Sequence, residues 1–72
     1  MARVRAVIGS VTAAMRAHSA LEREVIRSDV VKITDADDRR GCIYGIEFSE
    51  PQTDNVLRIL SRSRITVKKL IR

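Results

Sequence analysis

Seventy-two residues, 44% apolar and 32% charged, with one proline and one cysteine, read as one folded domain over residues 1–72 without an internal disulfide. A chain this short hides only about 60% of the surface its unfolded form exposes, so a homodimer would add useful core. Fourteen Lys and Arg against nine Asp and Glu give a charge of +5, which favours anionic partners without identifying one.

The segment Arg3 to Gly9 alternates, with Val4, Ala6 and Ile8 on one face and Arg3 and Arg5 on the other, and predicts a strand. From Val11 the period lengthens. Ala14, Met15, His18, Leu21 and Val25 follow it as one helical stripe, Ser10 or Thr12 caps the start, and the helix should stop near Arg27 or Ser28. Val30 to Thr34 is a short β-branched strand, and "DADDRRG" is an exposed connection. In "CIYGIEF" alternation returns, with Cys42, Tyr44, Ile46 and Phe48 on one side and Ile43, Gly45 and Glu47 on the other. "SEPQ", Ser49 to Gln52, has the form of a capping box before a second helix. Val56, Leu57 and Leu60 supply that helix's stripe, with Thr53 at the edge and Ile59 flanking. "ITVKKLIR" closes the chain as a strand, with Ile65, Val67 and either Leu70 or Ile71 available for burial.

The order β-α-β-β-α-β predicts an α+β fold. Right-handed crossovers and two amphipathic helices over one sheet face give the ferredoxin-like two-layer sandwich, with a four-stranded antiparallel sheet. No apolar run approaches the ~20 residues that span a bilayer, and nothing ahead of the first strand reads as a signal peptide. The expectation is a cytoplasmic protein with no membrane partner.

Cys42 is the one candidate for sulfur chemistry. Arg39 and Arg40 stand just upstream, and a nearby cation favours the thiolate that attacks a persulfide or disulfide sulfur. Asp35, Asp37 and Asp38 share the loop and oppose that effect. A free cysteine is equally a small buried hydrophobe, and Cys42 has the parity of Tyr44, Ile46 and Phe48. His18 sits within a helical stripe and reads as a packed or edge imidazole. One cysteine and one histidine do not fill a zinc site, and the three glycines are not spaced as a phosphate loop, so no metal or cofactor is expected. No serine and histidine pair with an orienting acid stands out in the sequence. RNA-recognition modules with this topology stack bases on sheet aromatics, yet Tyr44 and Phe48 have the parity of the helix-covered face. That counts against nucleic acid, although Arg3, Arg5, Lys32, Lys68 and Lys69 could form a basic sheet surface. Val7, Ile43 and Leu70 facing outward would instead seed a dimer.

"VIGSVTAAMRAHSALE", "GCIYGIEF" and "NVLRILSRSRITVKKLI" together make the chain resemble a family of small bacterial proteins described as selenium or sulfur carriers and otherwise classed as a domain of unknown function. Cys42, Gly45, Ile46 and Phe48 follow that family's cysteine-strand pattern. Ile43 and Glu47 depart from it, and the family's proline before the cysteine loop is absent. The resemblance implies that Cys42 holds sulfur or selenium as a persulfide or selenopersulfide. Arg39 and Arg40 would stabilise its anionic form, and donor and acceptor enzymes would be the partners. The alternative reading is a non-catalytic protein-interaction or homo-oligomeric assembly domain, and whether the chain is an enzyme stays open at this point.

Overall fold

The computed structural model of the chain describes residues 2–33 and 43–71. Its elements are β1 (Arg3–Gly9), α1 (Val11–Arg23), β2 (Asp29–Ile33), β3 (Ile43–Ser49), a 3₁₀ turn (Glu50–Gln52), α2 (Thr53–Arg62) and β4 (Lys69–Ile71). The strands form one antiparallel sheet in the order β2-β3-β1-β4, with both helices packed on one face. This is the ferredoxin-like two-layer α+β sandwich.

The core follows from the pairing of the central strands. Val4 lies opposite Phe48 and Ala6 opposite Ile46, and all four are fully buried beneath the helices. Ala17 and Leu21 of α1 and Val56 and Leu60 of α2 close over them, also fully buried. Sealing a large apolar side chain contributes about 1.5–3 kcal/mol. Leu70 joins this core from β4, opposite Ala6.

Helix α1 starts as the sequence suggests, Ser10 Oγ accepting from the Ala13 N–H at 3.1 Å. Its orientation differs from the expected stripe. Ala14, Ala17 and Leu21 are the buried residues, while Met15 is 58% and Val25 91% exposed. Alanines bring a helix close to a sheet, and turning that face inward carries Met15 outward. Helix α2 is corrected in two ways. Ile59 is buried with Thr53, Val56 and Leu60, whereas Leu57 is only half-buried. The capping box does not form, because the 3₁₀ turn intervenes and Ser49 makes no capping bond. The turn is held instead by Thr53 Oγ1 donating to the Glu50 carbonyl at 2.6 Å.

Both helices end in the same way. Ile26 N–H donates to Leu21 O at 2.9 Å and Val25 N–H to Glu22 O at 2.9 Å. At the end of α2, Ile65 N–H donates to Leu60 O at 2.9 Å and Arg64 N–H to Ser61 O at 3.1 Å. Each is a Schellman motif, with an isoleucine turned onto the core after the left-handed residue. That residue is Val25 (φ 59°) in α1 and Arg64 (φ 58°) in α2, where glycine is usual. The motif explains why α1 stops at Arg23, short of the expected Arg27 or Ser28.

A left-handed conformation costs an L-residue about 1–2 kcal/mol, and glycine returns part of that gain through its unfolded-state entropy, about 0.5–1 kcal/mol. Val25→Gly should therefore raise stability by roughly 0.5–1 kcal/mol, read as a higher urea midpoint. A lower midpoint would contradict this account of the helix end.

Candidate functional site

The strand register sorts the sheet face opposite the helices into two chemically distinct ends. At one end Glu47 of β3 receives both arginines of β1. Arg3 Nε donates to its Oε1 at 2.6 Å and Arg5 Nε to its Oε2 at 3.1 Å. Arg3 extends the ladder to β2, its Nη2 donating to Asp29 Oδ2 at 3.0 Å. Two guanidiniums and two carboxylates thus cancel across three strands. The hydrogen bond from Arg5, reinforced by Arg3, holds the Glu47 carboxyl below the usual carboxylate range, against partial burial that pushes it up.

The other end is apolar apart from the exposed Lys69 opposite Val7. Val7 and Ile33 are buried there, and Val31, Ile43 and Ile71 are half-buried. Gly45 lies at its centre, opposite Val7 on β1 and Val31 on β2. A Cβ on Gly45 would run into the Ala6 carbonyl oxygen and stand 2.7 Å from Ile33 Cδ1. The missing side chain is what allows close strand approach and lets Ile33 lie over the gap. Just beyond, the β1–β3 register shifts between Val7 and Gly9, where Gly9 adopts φ 129° and pairs with Tyr44.

Tyr44 and Phe48 fall on the helix-facing parity, as expected, with Phe48 fully buried. Of the expected basic sheet surface, Lys69 keeps an exposed place on this face, opposite Val7, and the others do not add free charge to it. Arg3 and Arg5 are neutralised, Lys32 lies opposite Tyr44 on the other parity, and Lys68 precedes β4, its N–H donating to Val7 O at 2.8 Å. Leu70 also departs from the outward position suggested for it, and Ile71 takes that place opposite Arg5.

The structure brings together three residues that the sequence did not connect. His18 Nδ1 lies 2.9 Å from Ser28 Oγ, and its Nε2 lies 3.4 Å from Glu22 Oε1. The types are those of a hydrolytic triad, but Ser28 is only 7% exposed, so its oxygen faces the imidazole rather than an approaching substrate. The cluster acts as a strut, tying the middle of α1 to the segment entering β2. The i,i+4 spacing of His18 and Glu22 is visible in the sequence, whereas Ser28 joins through the Schellman turn.

Cys42, Arg39 and Arg40 lie outside the described residues, as do residues 34–38 and 41. Among the described residues no group of three His, Cys, Asp or Glu could hold a metal ion, and no helix is long and apolar enough to cross a membrane. Comparison with protein-family models, curated proteins and solved structures gives no match for the chain.

Because the folded Glu47 pKa is lowered, its ionised form stabilises the fold fully above the ordinary glutamate pKa. That contribution is lost as the pH falls through the folded value. Urea midpoints measured from pH ~6 down to ~3 should fall more gently for Glu47→Gln than for the native chain. Parallel profiles would mean that the arginine ladder is not formed in solution.

Proposed function

We propose that this is a small interaction domain that associates with a second copy of itself through the sheet face opposite the helices. The observation that carries the reading is the composition of that face, an apolar end around Gly45 beside a charge-balanced ladder. A twofold contact pairs a patch with itself, so a surface holding both signs side by side can place Arg3 and Arg5 of one copy against Asp29 and Glu47 of the other. The half-buried Val31, Ile43 and Ile71 lose their remaining exposure in such a contact. Strand spacing and rise give the face roughly 15 by 20 Å. That is below the ~800 Å² per partner typical of stable complexes, so association is weak and concentration-dependent.

Light scattering across a concentration series should show a monomer–dimer equilibrium, with thermal midpoints rising as protein concentration rises. Val31→Lys with Ile43→Lys should leave a folded monomer throughout. A native chain that stays monomeric at the highest concentrations sinks the proposal.

A second reading, sulfur or selenium carriage on Cys42, is supported by the cysteine's place directly before β3 and by the family resemblance. Exposure to a sulfur donor should add the mass of one sulfur to the native chain and none to Cys42→Ser. Equal labelling of both, or of neither, rejects this role.

A further inference from the structure

We propose that the groove between α1 and the turn after α2 docks an acidic, amphipathic helical segment of a partner protein. This surface lies in the helix layer, so the inference is independent of self-association through the sheet.

The groove is open, with a volume of about 440 Å³. Ala20 and Ile65 lie along it, and Met15, Arg16, Ser19 and Arg23 line its α1 side. These α1 residues follow helical spacing. Arg16 and Arg23 are seven residues apart, hence on one face and separated by about 10 Å along the axis. Met15, 58% exposed, sits beside the first of them because the alanine face of α1 is turned to the sheet. An exposed methionine is a flexible apolar contact that adapts to a partner's side chains.

The charge of the groove is unanswered among the described residues. Arg16 and Arg23 make no ion pair or side-chain hydrogen bond among the described residues, whereas the nearby acids are engaged elsewhere. Glu22 faces His18 at 3.4 Å, and Glu24 pairs with Arg62 at 3.0 Å. An occupant must therefore bring the negative charge. A guanidinium offers paired donors that match a carboxylate. Two of them about 10 Å apart match acids seven residues apart on a facing helix, with an apolar residue between to meet Ala20 and Ile65 and another beside the first acid to meet Met15. An open trough along a helix suits a helical segment laid into it, a common mode of peptide recognition.

The test uses the full chain and a fluorescein-labelled amphipathic peptide of about 15 residues, long enough to hold helical form. It carries two glutamates seven positions apart flanking a leucine, and binding is read by anisotropy. Binding should weaken with added salt. Arg16→Glu and Arg23→Glu should each weaken it at least tenfold, and Met15→Ser several-fold. Arg58→Glu, on α2 outside the groove, should leave it unchanged. A peptide with lysines in place of its glutamates should bind the Arg16→Glu, Arg23→Glu double variant, which excludes loss through misfolding. Absence of binding at low salt, equal weakening by Arg58→Glu, or no rescue by the lysine peptide each overturns the proposal. So does displacement of the peptide by a single-stranded RNA whose own binding fails in the same variants, because the groove would then read phosphates.

Discussion

The register between β1 and β3 is the constraint on which the rest of the molecule depends. With Val4 opposite Phe48 and Ala6 opposite Ile46, four apolar side chains enter the core together. The same register sends Arg3, Arg5 and Glu47 outward as a bonded set. A slip of one residue on either strand reverses its faces. On β1 the slip would drive Arg3 and Arg5 beneath the helices without partners, at a cost of several kcal/mol per ion. On β3 it would expose Phe48 and Ile46, removing about 1.5–3 kcal/mol each. The two penalties favour one alignment, and Gly45 reinforces it, since only a glycine fits against the Ala6 carbonyl. The charged ladder therefore owes its place to the core as much as to its own attractions, which are modest for partly exposed pairs.

The helix layer solves a different problem, the exit from a helix into an edge strand within a few residues. Both helices use the same hydrogen-bonded turn, and both place an isoleucine from it against the core. Burial of Ile26 and Ile65 holds Val25 and Arg64 in a conformation that neither favours on its own. At the end of α1 the turn also delivers Ser28 to His18, so the strut from helix to strand is a by-product of the cap.

These origins explain what the sequence discloses. Strand parity and element order are readable because period-two alternation in "RVRAVIG" and "CIYGIEF" is set by a buried face, and the structure keeps it. The orientation of α1 is harder. Alanines fit an apolar stripe in several rotations, and the larger Met15 and Val25 draw the expected stripe the wrong way. The helix end is hidden because its usual marker, glycine, is replaced by valine, and a plausible capping box is defeated by the 3₁₀ turn around Pro51. The Glu47 ladder joins residues more than forty positions apart, beyond the reach of local pattern. The proposed sulfur role of Cys42, with Arg39 and Arg40, is legible from the sequence alone, since those residues lie outside the described ones.

The two proposed surfaces differ in how they answer charge, and this decides what each can accept. On the sheet face Arg3 and Arg5 are matched by Asp29 and Glu47, which leaves Lys69 as the one further cation among the described residues there, so a second copy meets far less repulsion than the chain's +5 suggests. Along the α1 groove Arg16 and Arg23 are unmatched among the described residues, and a second copy brought to that surface would set like charges together. An acidic partner gains most where the charge is unbalanced and least at the neutral ladder. Sheet-to-sheet pairing leaves both helix layers outermost, so a dimer would carry two basic grooves on its outer sides. A partner with two acidic segments would then bind the dimer more tightly than the sum of single contacts, because the second contact becomes intramolecular. On this reading weak self-association has a use of its own, since it sets how many grooves one partner can meet.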